Sequence, residues 1–236
     1  LNAIVTDAPD EALVWIMPGA YYEGSTITVP DMGTTRVTLK GQGRSITSMN
    51  DAFDVTNVPT VGTPISAPLT DSAVGLTFVD LKLNERIYGT DGKGVIRFSR
   101  RDLLKSDSSN PILSLDANAG QLYYLFMDQC RVCNFGTDNV IELTDVVQFS
   151  IRDSVINQYS DGTPHCIYMS NPTAAIGTFR ILDNCQLQVY NSSTGRFIES
   201  DVGSTEVYLL HNSYNTAVGG NVSALNGGTN TNTQIS

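Results

Sequence analysis

The chain has 236 residues, 41% hydrophobic and only 16% charged, and its 24 acids against 14 bases give a formal charge of −10. That acidity excludes the basic footprint a nucleic-acid partner requires and disfavours adhesion to an anionic membrane surface. No run reaches the roughly 18 apolar residues of a membrane span, so no membrane insertion is expected, and four scattered cysteines are too few for a disulfide framework.

Residues 1–13 carry Asp7, Pro9, Asp10 and Glu11 and are expected to cap an open end of the structure. They lack a charged segment followed by an apolar one, so no signal peptide is expected. Leu13-Val14-Trp15-Ile16-Met17 reads as a strand and Pro18-Gly19 as a turn. Ile27-Thr28-Val29 and Arg36-Val37-Thr38-Leu39-Lys40 read as further strands, the last closing on a Gly41-Gln42-Gly43 corner. Between 50 and 75, Pro59, Pro64 and Pro68 argue against a central strand and predict a long excursion. Strands resume with Val74 to Leu83. Gly89 to Gly94 reads as a turn, Val95-Ile96-Arg97-Phe98 as a strand, and Arg100, Arg101, Asp102, Lys105 and Asp107 as a mixed-charge loop.

From Ile112 the chain repeats. Leu125 to Cys130, Ser150 to Val155, Arg180 to Cys185 and Tyr208 to Ser213 can be superposed, with markers Asp128, Asp153, Asp183 and His211 at steps of 25, 30 and 28 residues. A second column precedes it: Ile112-Leu113-Ser114-Leu115, Val140-Ile141-Glu142-Leu143, Cys166-Ile167-Tyr168-Met169 and Phe197-Ile198-Glu199-Ser200. Two columns sharing a period in the 20s describe one unit repeated and stacked, and short alternating runs make the unit a strand. Strands that recur once per turn and stack on themselves form a parallel β-helix. Beyond Glu206 no charged residue remains, and 215–236 is rich in Asn, Gly, Thr and Ser, a polar tail that could lie along a neighbouring subunit.

The succession Trp15-Ile16-Met17-Pro18-Gly19-Ala20-Tyr21-Tyr22-Glu23, then Val37-Thr38-Leu39-Lys40-Gly41-Gln42-Gly43 and Thr47, resembles the opening coils of the pectin-lyase-like β-helix superfamily. That group includes pectinesterases, polysaccharide lyases, polygalacturonases and many bacteriophage tailspikes and virion proteins. The resemblance covers about 40 residues, and the later rungs share only periodicity. It implies fold more than activity, because these motifs encode corners. The expected architecture is a single-stranded right-handed parallel β-helix of about eight coils, spanning 14–214 as one domain.

Asp128, Asp153 and Asp183 are the candidates for chemistry. One position on successive rungs would set them roughly 5 Å apart, the separation of a retaining glycosidase pair. The competing expectation is a ladder of turn residues accepting backbone hydrogen bonds, with Arg131, Arg152 and Arg180 neutralising the acids. Cys130, Val155 and Cys185 are expected to stack as an apolar core ladder of reduced thiols, and Cys130-Arg131-Val132-Cys133 is not expected to bind metal. His165 and His211 have no nucleophile beside them and read as surface or corner residues. Tyr21, Tyr22, Tyr123, Tyr124, Tyr159, Tyr168, Tyr190 and Tyr208 suit a glycan or protein surface, half of them packed at corners.

The expected function is a non-enzymatic virion or extracellular structural protein: a phage decoration, spike or fibre module at a virion surface, in contact with other surface proteins and glycans. The family resemblance implies a homotrimer. No cofactor or metal is expected. The alternatives are a polysaccharide lyase or hydrolase built on the three aspartates, and a glycan-binding adhesin.

Overall fold

A computed structural model of the chain describes residues 11–17, 20–21, 26–29, 35–41, 60–61, 65–67, 69, 75–105, 110–117, 123–145, 147–159, 164–170, 180–190, 196–200, 207–216 and 233–235. All regular structure among them is β-strand. In chain order the strands begin β1 (Glu11–Ile16), β2 (Ala20–Tyr21), β3 (Ile27–Thr28), β4 (Arg36–Gly41), β5 (Thr60–Val61), β6 (Ile65–Ser66) and β7 (Gly75–Val79). They continue with β8 (Lys82–Leu83), β9 (Ile87–Gly92), β10 (Gly94–Lys105), β11 (Leu113–Ala117), β12 (Tyr123–Asn134), β13 (Ile141–Thr144) and β14 (Val147–Arg152). The last are β15 (Val155–Gln158), β16 (Ile167–Ser170), β17 (Arg180–Asp183), β18 (Gln186–Val189), β19 (Ile198–Ser200), β20 (Tyr208–Leu210), β21 (Ser213–Thr216) and β22 (Thr233–Ile235).

These strands wind into a parallel β-solenoid. A long sheet runs β1-β4-β7-β10-β12-β14-β17-β20-β22, with β2, β5, β8, β15, β18 and β21 continuing it past a bend. A short sheet runs β19-β16-β13-β11-β9-β6-β3. Alternation decides which side chains meet inside. On the short sheet Ile27, Ile65, Ile87, Leu113, Ile141, Ile167 and Ile198 form one in-register column. Facing it, the long sheet stacks Val14, Leu39, Phe78, Phe98, Met127, Ile151, Leu182 and Leu209. The Phe78 and Phe98 rings lie parallel with centroids 5.2 Å apart. Each fully buried aliphatic or phenyl side chain in such a column stabilises the fold by about 1.5–3 kcal/mol.

The second column of the repeat is in register as expected, and the parallel solenoid with it. Several details differ. The regular part of the solenoid is about four turns, between 94 and 200, rather than eight. Among the described residues, only there does each turn place a strand of three or more residues, in unshifted register, on both sheets; before it the short sheet is extended by shorter or shifted strands. Gly89 to Gly94 is not simply a turn, because Ile87–Gly92 is a strand paired with β6 and β11. Arg100 to Lys105 is not a loop either. It belongs to the twelve-residue β10, held by parallel partners on both sides, which outweigh the local charge.

Within 50–75, β5 and β6 lie between the prolines and pair into both sheets, so this stretch contributes to the winding. Proline is barred from a ladder only where its missing N–H is needed, and two-residue strands fit between such positions. The prolines themselves, and residues 1–10 of the cap expected at 1–13, lie outside the described residues, while Glu11, Ala12 and Leu13 open β1. The tail expected at 215–236 supplies β22, which pairs with β20. Gly41 ends β4 beneath the bend of a later turn. A Cβ there would collide with the Asp80 carbonyl oxygen, so the close approach of two backbones requires glycine.

Candidate functional site

The expected aspartate column runs along the bend of the long sheet, and the register there differs by one residue in the second repeat. Asp128 pairs with Arg152, and Arg152 pairs with Asp183. Asp153 lies one residue further on, at the bend itself. The three aspartates therefore do not form a vertical row. Asp128 and Asp183 are two turns apart, roughly 10 Å, with an arginine between them, wider than a retaining pair allows. Leu210, not His211, continues their column.

Asp153 belongs to a different set. Asp80, Arg100, Gln129, Asp153, Asn184 and His211 all have φ between 47° and 56°, one at each passage of the bend from β7 onward. This left-handed geometry turns the chain sharply, and Asn, Asp and His tolerate it better than most residues. The turns are tied together there. Asp80, Asp153 and Asn184 donate their N–H groups to the carbonyls of Ser99, Asp183 and Leu210 in the next turn. Asn184 Nδ2 donates to Asp153 Oδ1 at 2.6 Å, and His211 Nδ1 lies 3.1 Å from Asp183 Oδ1. Arg100 donates Nε and one terminal nitrogen to the two carboxylate oxygens of Asp80 at 2.8 and 3.0 Å. Asp153 takes the turn position of the expected ladder, but its carboxylate accepts from a side-chain amide rather than a backbone N–H, while Asp128 and Asp183 flank it.

The next column is Cys130, Ser154, Cys185 and Asn212, so Ser154 takes the place expected for Val155. Val155 pairs with Arg131 and Gln186. Ser154 Oγ accepts from the Cys130 N–H at 3.1 Å, and Asn212 Oδ1 accepts from the Cys185 N–H at 2.8 Å. Both thiols are buried and donate back to carbonyls of the bend, Cys130 to Asp128 and Cys185 to Asp183 and Ile151. Cys133 and Cys166 are buried as well, and neither forms a disulfide. Arg180 does not share the aspartates' column: it begins the strand that Asp183 ends, pairs with Phe149 on the inward side and is 3% exposed.

Two features were only partly marked in the sequence, which singled out Tyr159, Tyr168, Tyr190 and His165 but not Glu142, Glu199 or Phe135 beside them. On the outer face of the short sheet, Tyr88, Ser114, Glu142, Tyr168 and Glu199 share a column. Burial raises the Glu142 carboxyl above its ordinary value and Asp138 adds to this, while a hydrogen bond from Asn139 opposes it. Beside it His165 stacks on Tyr168 with centroids 5.8 Å apart and accepts the Arg196 N–H on Nδ1 at 3.0 Å. The signal was present as an acid at the polar place of two apolar runs, Ile141-Glu142-Leu143 and Ile198-Glu199-Ser200. The other feature is an aromatic stack. Phe135, Tyr159 and Tyr190 follow equivalent strand ends on three turns, with centroids 4.8 and 4.4 Å apart. Of the remaining tyrosines, Tyr123 is buried with its hydroxyl on the Ala67 carbonyl, while Tyr21 and Tyr208 are exposed.

Among the described residues no three His, Cys, Asp or Glu side chains converge as a metal-binding group. No family model matches the chain, and neither the curated proteins nor the solved structures contain a match.

Proposed function

We propose that the chain is a non-enzymatic structural module of a virion or an extracellular surface, a decoration, spike or fibre element working within a homo-oligomer. The observation that supports this most directly is the use of recurring polar residues at the bend. Asp80 and Asp153 brace adjacent turns through Arg100 and Asn184, and Asp183 meets His211; these acids serve the stacking of the chain on itself. A solenoid stiffened this way suits rigid display. The resemblance of the opening coils to pectin-lyase-like proteins, phage tailspikes among them, supports the same reading and a trimeric count by analogy alone.

The test has two parts. Incubated with uronate and neutral polysaccharides, the chain is expected to release no reducing ends and no unsaturated uronate, and Asp128→Asn or Asp183→Asn to change nothing. Cleavage that either variant abolishes would establish a lyase or hydrolase instead. Light scattering is expected to give a multiple of 25.5 kDa. A second reading, a glycan-binding adhesin, is favoured by the Phe135, Tyr159 and Tyr190 stack, whose outermost ring is exposed. Oligosaccharide-induced change in the tyrosine resonances, lost in Phe135→Ala, would support it.

A further inference from the structure

We propose that the outward face of the first strand is where two copies of this chain meet, with Trp15 at the centre of the contact. This rests on the reading of the chain as an assembling module, and it places a two-fold contact where the likeness to tailspikes implies a three-fold one. Along β1 the side chains alternate. Ala12, Val14 and Ile16 pack against the core, while Leu13, Trp15 and, just beyond the strand, Met17 face outward. Leu13 is 55% exposed, Trp15 53% and Met17 57%. Large apolar side chains exposed in a contiguous row mark an interaction surface rather than ordinary exterior.

Among the described residues the contiguous exposed row is on β1. In the column of Leu13 the following turns place Thr38, Thr77, Arg97, Phe126, Ser150, Ile181 and Tyr208, of which Tyr208 alone is an exposed large apolar side chain, and in that of Trp15 they place Lys40, Val79, Ser99 and Asp128. The rim indicates the occupant. Glu11 begins the row with Arg36 3.6 Å from it, and the Lys40 ammonium lies 4.9 Å over the Trp15 ring. An acid at one end and bases along the side make the patch self-complementary under two-fold rotation. With two β1 strands packed face to face and antiparallel, Leu13 meets the second copy's Trp15, and each Glu11 approaches the other copy's Lys40. A rim of one sign would call for an unlike partner.

Trp15 is the chain's single tryptophan, so its emission reports on this face alone. The full-length chain is diluted stepwise while mass is followed by light scattering and Trp15 by emission wavelength and acrylamide quenching. Dilution is expected to halve the mass while emission shifts to the red and quenching rises in step. Lys40→Glu is expected to shift the transition to higher concentration, and adding Glu11→Lys to restore it, with circular dichroism confirming that each variant is folded. If the copies associate while Trp15 stays freely quenched, another face carries assembly: the contact is refuted and the structural-module reading stands. A single-chain mass at every concentration refutes both the contact and the assembly. If Trp15 is shielded at that single-chain mass, the chain covers its own stripe and the contact is again refuted.

Discussion

Gln129 shows what a single residue contributes at the bend. Its φ of 53° is costly for a side chain with a Cβ, by about 1–2 kcal/mol relative to the right-handed region. Asp153 and Asn184 offset that cost with a hydrogen bond to each other. Gln129 is exposed, and among the described residues its side chain has no comparable partner across the turns. Gln129→Gly is therefore expected to stabilise the chain by about 0.5–1 kcal/mol, read as a higher thermal midpoint. Asn184→Gly, which removes a partner of Asp153, should gain nothing. His165 offers a second test. Burial, and to a lesser extent the nearby Arg196, lowers its pKa from 6.5 to about 4, and the hydrogen bond from the Arg196 N–H needs an unprotonated Nδ1. The unfolded chain thus binds this proton first as pH falls. The stability linked to His165 is complete above its ordinary pKa and drains away down to about pH 4, after which it is flat. Denaturation midpoints measured across that window should fall less steeply in His165→Gln than in the unaltered chain.

At the scale of the strand, the thiol ladder explains why cysteine can occupy a corner without redox chemistry. Ser154 and Asn212 supply the oxygen that accepts the N–H of Cys130 and Cys185 in the preceding turn, and the sulfurs replace hydroxyls as weak donors inside the bend. Alternating the two residue types satisfies the backbone while keeping the interior mostly apolar. Burial pushes the Cys166 thiol up to about 12 and the Cys185 thiol up to about 11, so little thiolate exists at neutral pH. A chromogenic disulfide reagent should titrate none of the four cysteines in the folded chain and all four in guanidinium chloride. One fast-reacting thiol in the folded state would show a corner more open than this geometry.

Across the whole molecule, stability is a property of neighbouring turns. Each rung buries its apolar column only against the rungs above and below, so a central turn has two supports and a terminal turn one. The four regular turns carry the densest column, from Phe98 through Met127, Ile151 and Leu182, all buried. Amide exchange is expected to be slowest in β12, β13, β14 and β16, and to quicken toward β1 and β20. Uniform protection along the chain would mean that the solenoid unfolds as one cooperative block. Protection of β1 that rises with protein concentration would instead follow from the Trp15 contact.

The sequence alone pointed to the parallel solenoid, because Ile141, Ile167 and Ile198 recur in step with the marker segments, and one strand per turn stacked on the next buries that column. It also determined the second column to the residue, since four short apolar runs admit one alignment. It did not determine the register of the marker column. Aspartate recurs there on both sides of the bend, and aligning Asp153 with Asp128 and Asp183 satisfied residue type while ignoring backbone conformation. Only the tertiary structure showed that Asp153 occupies the left-handed corner and Arg152 the strand position. That choice is made by the fit of each turn onto its neighbours and not by local preference. The same reason applies to β10, whose charged second half is a strand because β8 and β12 lie on either side of it. Which outward faces remain uncovered, Leu13 and Trp15 above all, was likewise settled only once the turns were stacked.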